Sequence, residues 1–379
     1  MRPTRPRSAI LWVEAPVAMI KSRSKDAIWR ALRPVIAASV GLLVGVAFTA
    51  MAGEQPWNVL RVILKGAFGS TYDLGLTLFY TTPIILTGLA VALPIKAGLF
   101  NIGAEGQLNM GALAVAAVGI LCLQVPQPWN ILLAGTAGFA AGAFWGSIPG
   151  WLKAYRGSHE VITTIMLNFI AAGLTGWAVL ALLPSLDSQN PESARIAPSY
   201  LLQHFSWFGD APVTWALPMA VAAAIVVWVL FRFTIPGFKL TATGLSPEAA
   251  QVSGISVRFQ QWLALTLGGG LAGLVGVAEV MGNSGRFRIG FSPDYGFIGI
   301  PVALLARAHP LGLVFSALLF GALQKGTAEL DLETTYVTRD LAAMIQAMVV
   351  LAVSAEGGLT LWRRHRLAAK SMQPTRVKD

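Results

Sequence analysis

Ala97–Asn109 reads AGLFNIGAEGQLN, in a chain where most stretches of that length carry no polar side chain at all. Asn101, Glu105, Gln107 and Asn109 crowd into it, with Gly98, Gly103 and Gly106 among them. What it means depends on its surroundings. Of 379 residues, 55% are hydrophobic and 12% charged, and the mean hydropathy is +0.63. Soluble domains carry roughly 25% charged residues. The apolar runs are about 17 to 25 residues long, the length a helix needs to cross a bilayer core. They contain Gly and Pro and lack alternating polar positions, so they read as helices and not as barrel strands. The fold class is all-α, a polytopic membrane helical bundle immersed in the lipid bilayer. Glycine-containing, irregular backbone at that depth is tolerated only where protein surrounds it or it lines a water-filled cavity. The stretch is therefore read as a pathway-lining element.

About ten transmembrane segments are predicted: 35–52, 76–95, 98–123, 131–150, 161–183, 213–233, 262–282, 298–308, 311–324 and 341–355. The eighth and ninth are short and are separated by Ala308-His309-Pro310, as in a broken or re-entrant pair. Orientation follows from the 28 Lys and Arg residues. With the N-terminus inside, only Arg61, Lys65, Arg195, Arg286, Arg288, Lys325 and Arg339 fall outside. A three-to-one inner excess supports N-in and C-in. Lys96 then marks an inner turn, and the glycine-rich stretch enters the third span from inside. Residues 1–34 form a basic leader, 35–355 the membrane domain and 356–379 a basic tail. A signal peptide ending near Ala50-Met51-Ala52 is the alternative for the first span, but its basic leader would be unusually long.

Several functions are disfavoured. The net charge of +10 is accounted for by inner loops, so nucleic acid is not implied as a partner. The single Cys122 and four dispersed histidines offer no metal-ligand spacing, and no metal site is expected. No GxxxxGK[ST] occurs, so the chain is not expected to bind ATP through such a loop. No Ser/His/Asp set lies at plausible spacing, so no catalytic residues and no enzymatic activity are expected.

The loop after the sixth span reads FTIPGFKLTATGLSPEAAQVSGISVR (233–258) and carries its own helix signals. Ser246 can cap, Pro247 fits the first helical position, and Glu248 suits the positive end of the dipole. Gly254 is a plausible stop. These signals predict an eight-residue helix lying at the inner surface. The outer loop Pro184–Pro212 is polar and turn-rich.

Four stretches carry a resemblance in register: TPIILTGLAVALPIKAGLFNIGAEGQLNMGA (82–112), HEVITTIMLNFIAAGL (159–174), GLSPEAAQVSGISV (244–257) and YGFIGIPVALLARAHPLGLVFSALLFGAL (295–323). Together they resemble the branched-chain amino acid/ribose-type permeases of ATP-binding-cassette importers. NIGAEGQ combined with EVITTIMLN is most similar to the nucleoside and simple-sugar branch. The likeness covers about residues 76–355. Two positions depart from it: Pro301 and Ala306 stand where Ala and Gly are expected, which makes the local helix geometry there the point to examine.

The resemblance implies a permease subunit that works with a second related permease, cytoplasmic ATPase subunits and an extracytoplasmic solute-binding protein. It implies a bacterial inner-membrane location, with ATP and Mg handled by the ATPases and no cofactor on this chain. Ser246, Pro247, Glu248, Ala249, Ala250 and Gly254 would form the coupling helix that docks on the ATPase.

Polar groups within spans face the bundle interior or a cavity. Asn101, Glu105, Gln107, Asn109 and Asn168 are therefore pathway candidates, with Glu279 and Asn283 in reserve. Carboxamides and a carboxylate suit ribose hydroxyls and a base edge. Phe100 and Phe169, beside them, could stack on a base or simply pack. Asn168 either lines the path or bonds between helices, and Glu105 either touches solute or holds a bend. Thr163 and Thr164 read as hydroxyls bonding their own backbone. His159 and Glu160 read as a helix start on the ATPase side, and Asp294, near Arg286 and Arg288, as the outer mouth. An ion-driven secondary transporter is the competing class; its sign would be paired intramembrane acids, for which only Glu105 and Glu279 qualify.

Overall fold

The computed structural model describes residues 36–123, 125–334, 343–353 and 355. The basic leader, the basic tail and Arg339 lie outside them. Seven helices are long and apolar enough to cross a membrane. They are α3 (Thr71–Lys96), α4 (Ala104–Leu121), α5 (Trp129–Arg156), α6 (Glu160–Leu182), α7 (Ala216–Phe233), α10 (Val257–Ser284) and α12 (Pro310–Ala328). Three shorter apolar helices accompany them: α1 (Ile36–Ala52), α11 (Tyr295–Leu305) and α14 (Ala343–Val353). Among the described residues β-pairing is limited to isolated bridges in the connecting loops.

The remaining helices escape a reading tuned to span length. α2 (Pro56–Phe68) has Pro at its start and buries one face through Val59, Val62, Ile63, Gly66 and Ala67, the spacing of an amphipathic helix. α8 (Ile235–Leu245) begins at Thr234, whose hydroxyl accepts from Gly237 N at 3.2 Å. α9 (Pro247–Val252) follows directly, and α13 (Leu330–Glu333) is a single turn.

α3 is the central helix, buried along most of its length from Thr81 to Pro94. Beside it α5 and α10 meet on glycines. Gly138, Gly142 and Gly146 recur every fourth residue on α5 and face Gly269 and Gly273 on α10. A Cβ at Gly142 would run into the Gly269 carbonyl, and one at Gly269 into the Gly142 carbonyl. Apolar side chains gain little by leaving lipid, so close backbone approach supplies the contact energy in a membrane.

The eighth and ninth segments are a broken pair. α11 has 11 residues, about 16 Å of helix against a hydrocarbon core of roughly 30 Å. The break lies at Arg307 and Ala308, both with φ of 52°, a left-handed conformation costing non-glycine residues about 1–3 kcal/mol each. His309 then caps α12 by accepting from Gly312 N at 3.2 Å. Ala306 has φ −74°, so no glycine is needed there. Pro301 lies in the middle of α11 and has no N–H, so the Phe297 carbonyl loses its helical donor.

Candidate functional site

α4 begins at Ala104, six residues later than the predicted third span, because 97–103 is not helical. The reason starts in α3. Pro94 has no N–H, so the Ala90 carbonyl lacks its helical donor. Asn101 Nδ2 supplies one at 3.1 Å. To do so the chain turns at Gly98 (φ 77°) and runs back beside α3. Asn101 and Gln107 then form a reciprocal amide pair, Asn101 Nδ2 donating to Gln107 Oε1 at 2.9 Å and Gln107 Nε2 to Asn101 Oδ1 at 3.1 Å. Gly103 N also donates to Asn101 Oδ1, at 3.0 Å. Both side chains are essentially inaccessible, and every donor and acceptor of Asn101 is used.

Asn168, on α6, clamps the same segment from the side. Its Oδ1 accepts from Gly106 N at 2.8 Å and its Nδ2 donates to Ile102 O at 2.9 Å. Asn109 Nδ2 donates to the Glu105 carbonyl at 2.8 Å. Thr163 and Thr164 bond backbone carbonyls of their own helix, as expected.

Glu105 reaches the other broken helix. Its Oε2 accepts from Gly296 N, in the first turn of α11, at 2.8 Å. The two helix starts abut so closely that a Cβ on Gly296 would strike the Glu105 backbone. Gly299, one turn on, lies against Thr87 and Gly88 of α3. Thr87 is nine residues from Lys96, about 13 Å along the helix. Two helix N-termini, each with the partial positive charge of unpaired N–H groups, therefore face each other inside the bundle across one carboxylate.

The predicted pathway residues thus divide. Asn101, Glu105, Gln107 and Asn168 come together with Asn109 one turn away. Phe100 is half-buried. Phe169 is 70% exposed on α6 and does not join them.

At the surface, α9 has the expected start: Ser246 Oγ accepts from Ala249 N at 3.3 Å, with Pro247 in the first position and Glu248 in the first turn. It has six residues, not eight, because Gly254 (φ 78°) already lies in the turn that reverses it. Ala250 is buried, while Leu245 (82%) and Val252 (90%) stand exposed. Gly244, just before this helix, sits directly on the backbone of Lys96–Gly98.

Over residues 74–354 the sequence matches the family described as branched-chain amino acid transport system / permease component. The chain belongs to this permease family. It is 36% identical to the glucose ABC transporter permease protein TsgB13 of Haloferax volcanii, over 84% of this chain and 85% of that one. It is 34% identical to the guanosine ABC transporter permease protein NupP of Bacillus subtilis, over 86% and 93%. With the nucleoside ABC transporter permease protein NupB of Lactococcus lactis it shares 30% identity, over 92% and 97%. The permease is therefore a multi-pass membrane protein of ATP-binding-cassette transport.

Other residues of the permease gained their meaning only in three dimensions. Arg286 bonds Glu192 Oε1 and Ser185 Oγ, each at 2.9 Å, and Arg288 lies 3.4 Å from Glu192 Oε2. A hydrogen bond from Ser188 and the two guanidinium charges hold the Glu192 carboxyl below its ordinary range. Lys325, counted among outer charges, is 4% exposed and pairs with Asp73 and Glu329. Glu160 pairs with Lys153 at 2.8 Å, closing the α5–α6 turn. Asp294 precedes α11 with φ 62°.

Proposed function

We propose that this permease forms the translocation path of an importer for a nucleoside or a related sugar-like solute. The observation that carries the reading is its near full-length similarity to relatives named for guanosine, nucleosides and glucose. Ribose in a nucleoside and glucose both present a polyhydroxylated ring, a chemistry that carboxylates and carboxamides recognise. Asn101, Gln107, Asn109 and Asn168 would shape and hold the path around Glu105, with Phe100 as a stacking candidate. Ribose-type sugars and branched-chain amino acids are the alternatives within the same machinery.

Membership of the permease family supports the remaining parts of the reading. ATP and Mg belong to cytoplasmic ATPases, which would dock on Ser246–Gly254; the exposed Leu245 and Val252 suit such a partner. A second related permease would cover an outer apolar face such as Ile162, Met166, Phe169, Ile170 and Trp177 on α6. An extracytoplasmic binding protein would deliver solute, and the assembly would lie in the inner membrane with both termini inside. The capped surface helix favours this over an ion-driven secondary transporter.

Uptake by cells expressing the whole assembly tests the solute. Labelled guanosine should accumulate, and unlabelled nucleosides should compete better than ribose, glucose or leucine. Competition by leucine alone would overturn the reading.

A further inference from the structure

The last two turns of α10, Val277–Ser284, are wound as a π-helix. Such turns insert a residue into a helix and recur at functional sites. Glu279 lies within it, 5% exposed. Asn283 Nδ2 donates to its Oε2 at 3.2 Å, and the Tyr295 hydroxyl faces the same carboxylate. Oε1 has no hydrogen-bond partner among the described residues. A buried polar atom left unpaired costs about 1–3 kcal/mol, more when charged, so its retention calls for a physical reason.

The surroundings supply one. Tyr295 opens α11 beside Gly296, so Glu279 stands next to the meeting point of the two broken helices and Glu105. Asn283, one turn further out, is exposed, which gives the group a polar route to the outer surface. Arg288, whose charge reaches Glu279, lies 3.4 Å from Glu192 Oε2. Ionisable side chains inside a membrane protein are costly and mark solute or ion paths.

We infer that Glu279, flanked by Tyr295 and Asn283, is the contact for the vicinal hydroxyls of the solute's sugar ring. A carboxylate accepts two hydrogen bonds side by side, the pattern two neighbouring hydroxyls donate, and the Asn283 carboxamide can serve a third oxygen. This rests on the solute class proposed above. Glu105, already committed to Gly296 N, sets the floor of the site and does not grip.

The test uses the permease with its partner subunits in vesicles, comparing guanosine with its 2′,3′-dideoxy analogue. A site built to bond hydroxyls rejects an analogue lacking them, so the wild type should favour guanosine by about tenfold or more in KM. Glu279→Gln should bring that ratio to within about twofold while solute-independent ATP hydrolysis persists. Where Glu279→Gln fails to assemble, Tyr295→Phe removes a single hydroxyl and must still lower the ratio. An unchanged ratio in the variant that assembles, or a wild type that imports guanosine without discriminating, overturns the site alone. Failure of the wild type to import any polyhydroxylated probe overturns the solute class and the site with it.

Discussion

Glu105 Oε2 and the backbone N–H of Gly296 are joined by a 2.8 Å hydrogen bond between the first turns of α4 and α11. One carboxylate thereby neutralises two helix starts that would otherwise oppose each other. Glu105→Gln keeps an acceptor but loses the charge, worth about 0.3–1 kcal/mol at one exposed helix end and up to ~2 when partly buried. Glu105→Ala also strands the Gly296 N–H, adding about 1–3 kcal/mol. Thermal unfolding in detergent should rank wild type above Gln and Gln above Ala. A Gln variant as stable as the wild type would mean that the charge contributes nothing, and equal losses for the two variants that the hydrogen bond to Gly296 adds nothing beyond it.

Asn168 clamps the glycine-rich segment by backbone bonds alone, so its removal should damage transport without regard to solute. Asn168→Ala leaves Gly106 N–H and Ile102 C=O unpaired, at about 1–3 kcal/mol for each group. Uptake of guanosine and of any second substrate should fall by the same factor. A loss confined to one solute would place the side chain on the path.

The α5–α10 seam predicts opposite outcomes for alanines at two kinds of glycine. Gly142→Ala or Gly269→Ala drives a methyl into a facing carbonyl, and overpacking of this kind costs typically 1–3 kcal/mol, occasionally more. Gly173→Ala on α6 meets nothing within 4 Å and gains up to about 1 kcal/mol in helix propensity. Folded yield and melting temperature should drop for the first pair and hold or rise for the third. Equal behaviour would contradict the seam.

The sequence announces some of this and hides the rest for identifiable reasons. Ser246, Pro247 and Gly254 act through neighbours two or three residues away, so the short surface helix was legible to within two residues. Asn101 and Asn168 stood out because polar groups in apolar runs must find partners. Besides the Gln107 amide, their partners Ala90 O, Ile102 O and Gly106 N are backbone atoms that a linear reading does not bring together, although Pro94 hinted that a carbonyl one helical turn before it was free. α2 and α8 hid because 13 and 11 residues are too few for a span. Lys325 reads as a loop charge until Asp73 is seen beside it.

The loop around Glu192 carries a pH signature. Glu192 is held below its ordinary value of 4.5, so its contribution to stability is complete above that value and is lost as pH falls through the lower, folded one. The difference in melting temperature between wild type and Glu192→Gln should therefore be flat from pH 8 to about 5 and shrink below the usual glutamate range of about 4. Glu192→Gln should melt lower at neutral pH and decline less steeply in acid. An identical acid slope in both proteins would remove Glu192 from the account.

The most direct test of an ATP-driven permease couples two readings in one vesicle: solute uptake, and ATP hydrolysis by the partner subunits. The wild type should take up nucleoside only with ATP on the ATPase side, with hydrolysis raised by loaded binding protein. Glu248→Arg, on the exposed face of the Ser246-capped helix, should abolish both uptake and that stimulation while the subunits still fold. Uptake that survives without ATP, or stimulation untouched by Glu248→Arg, would contradict the assignment of this chain's inner surface to an ATPase.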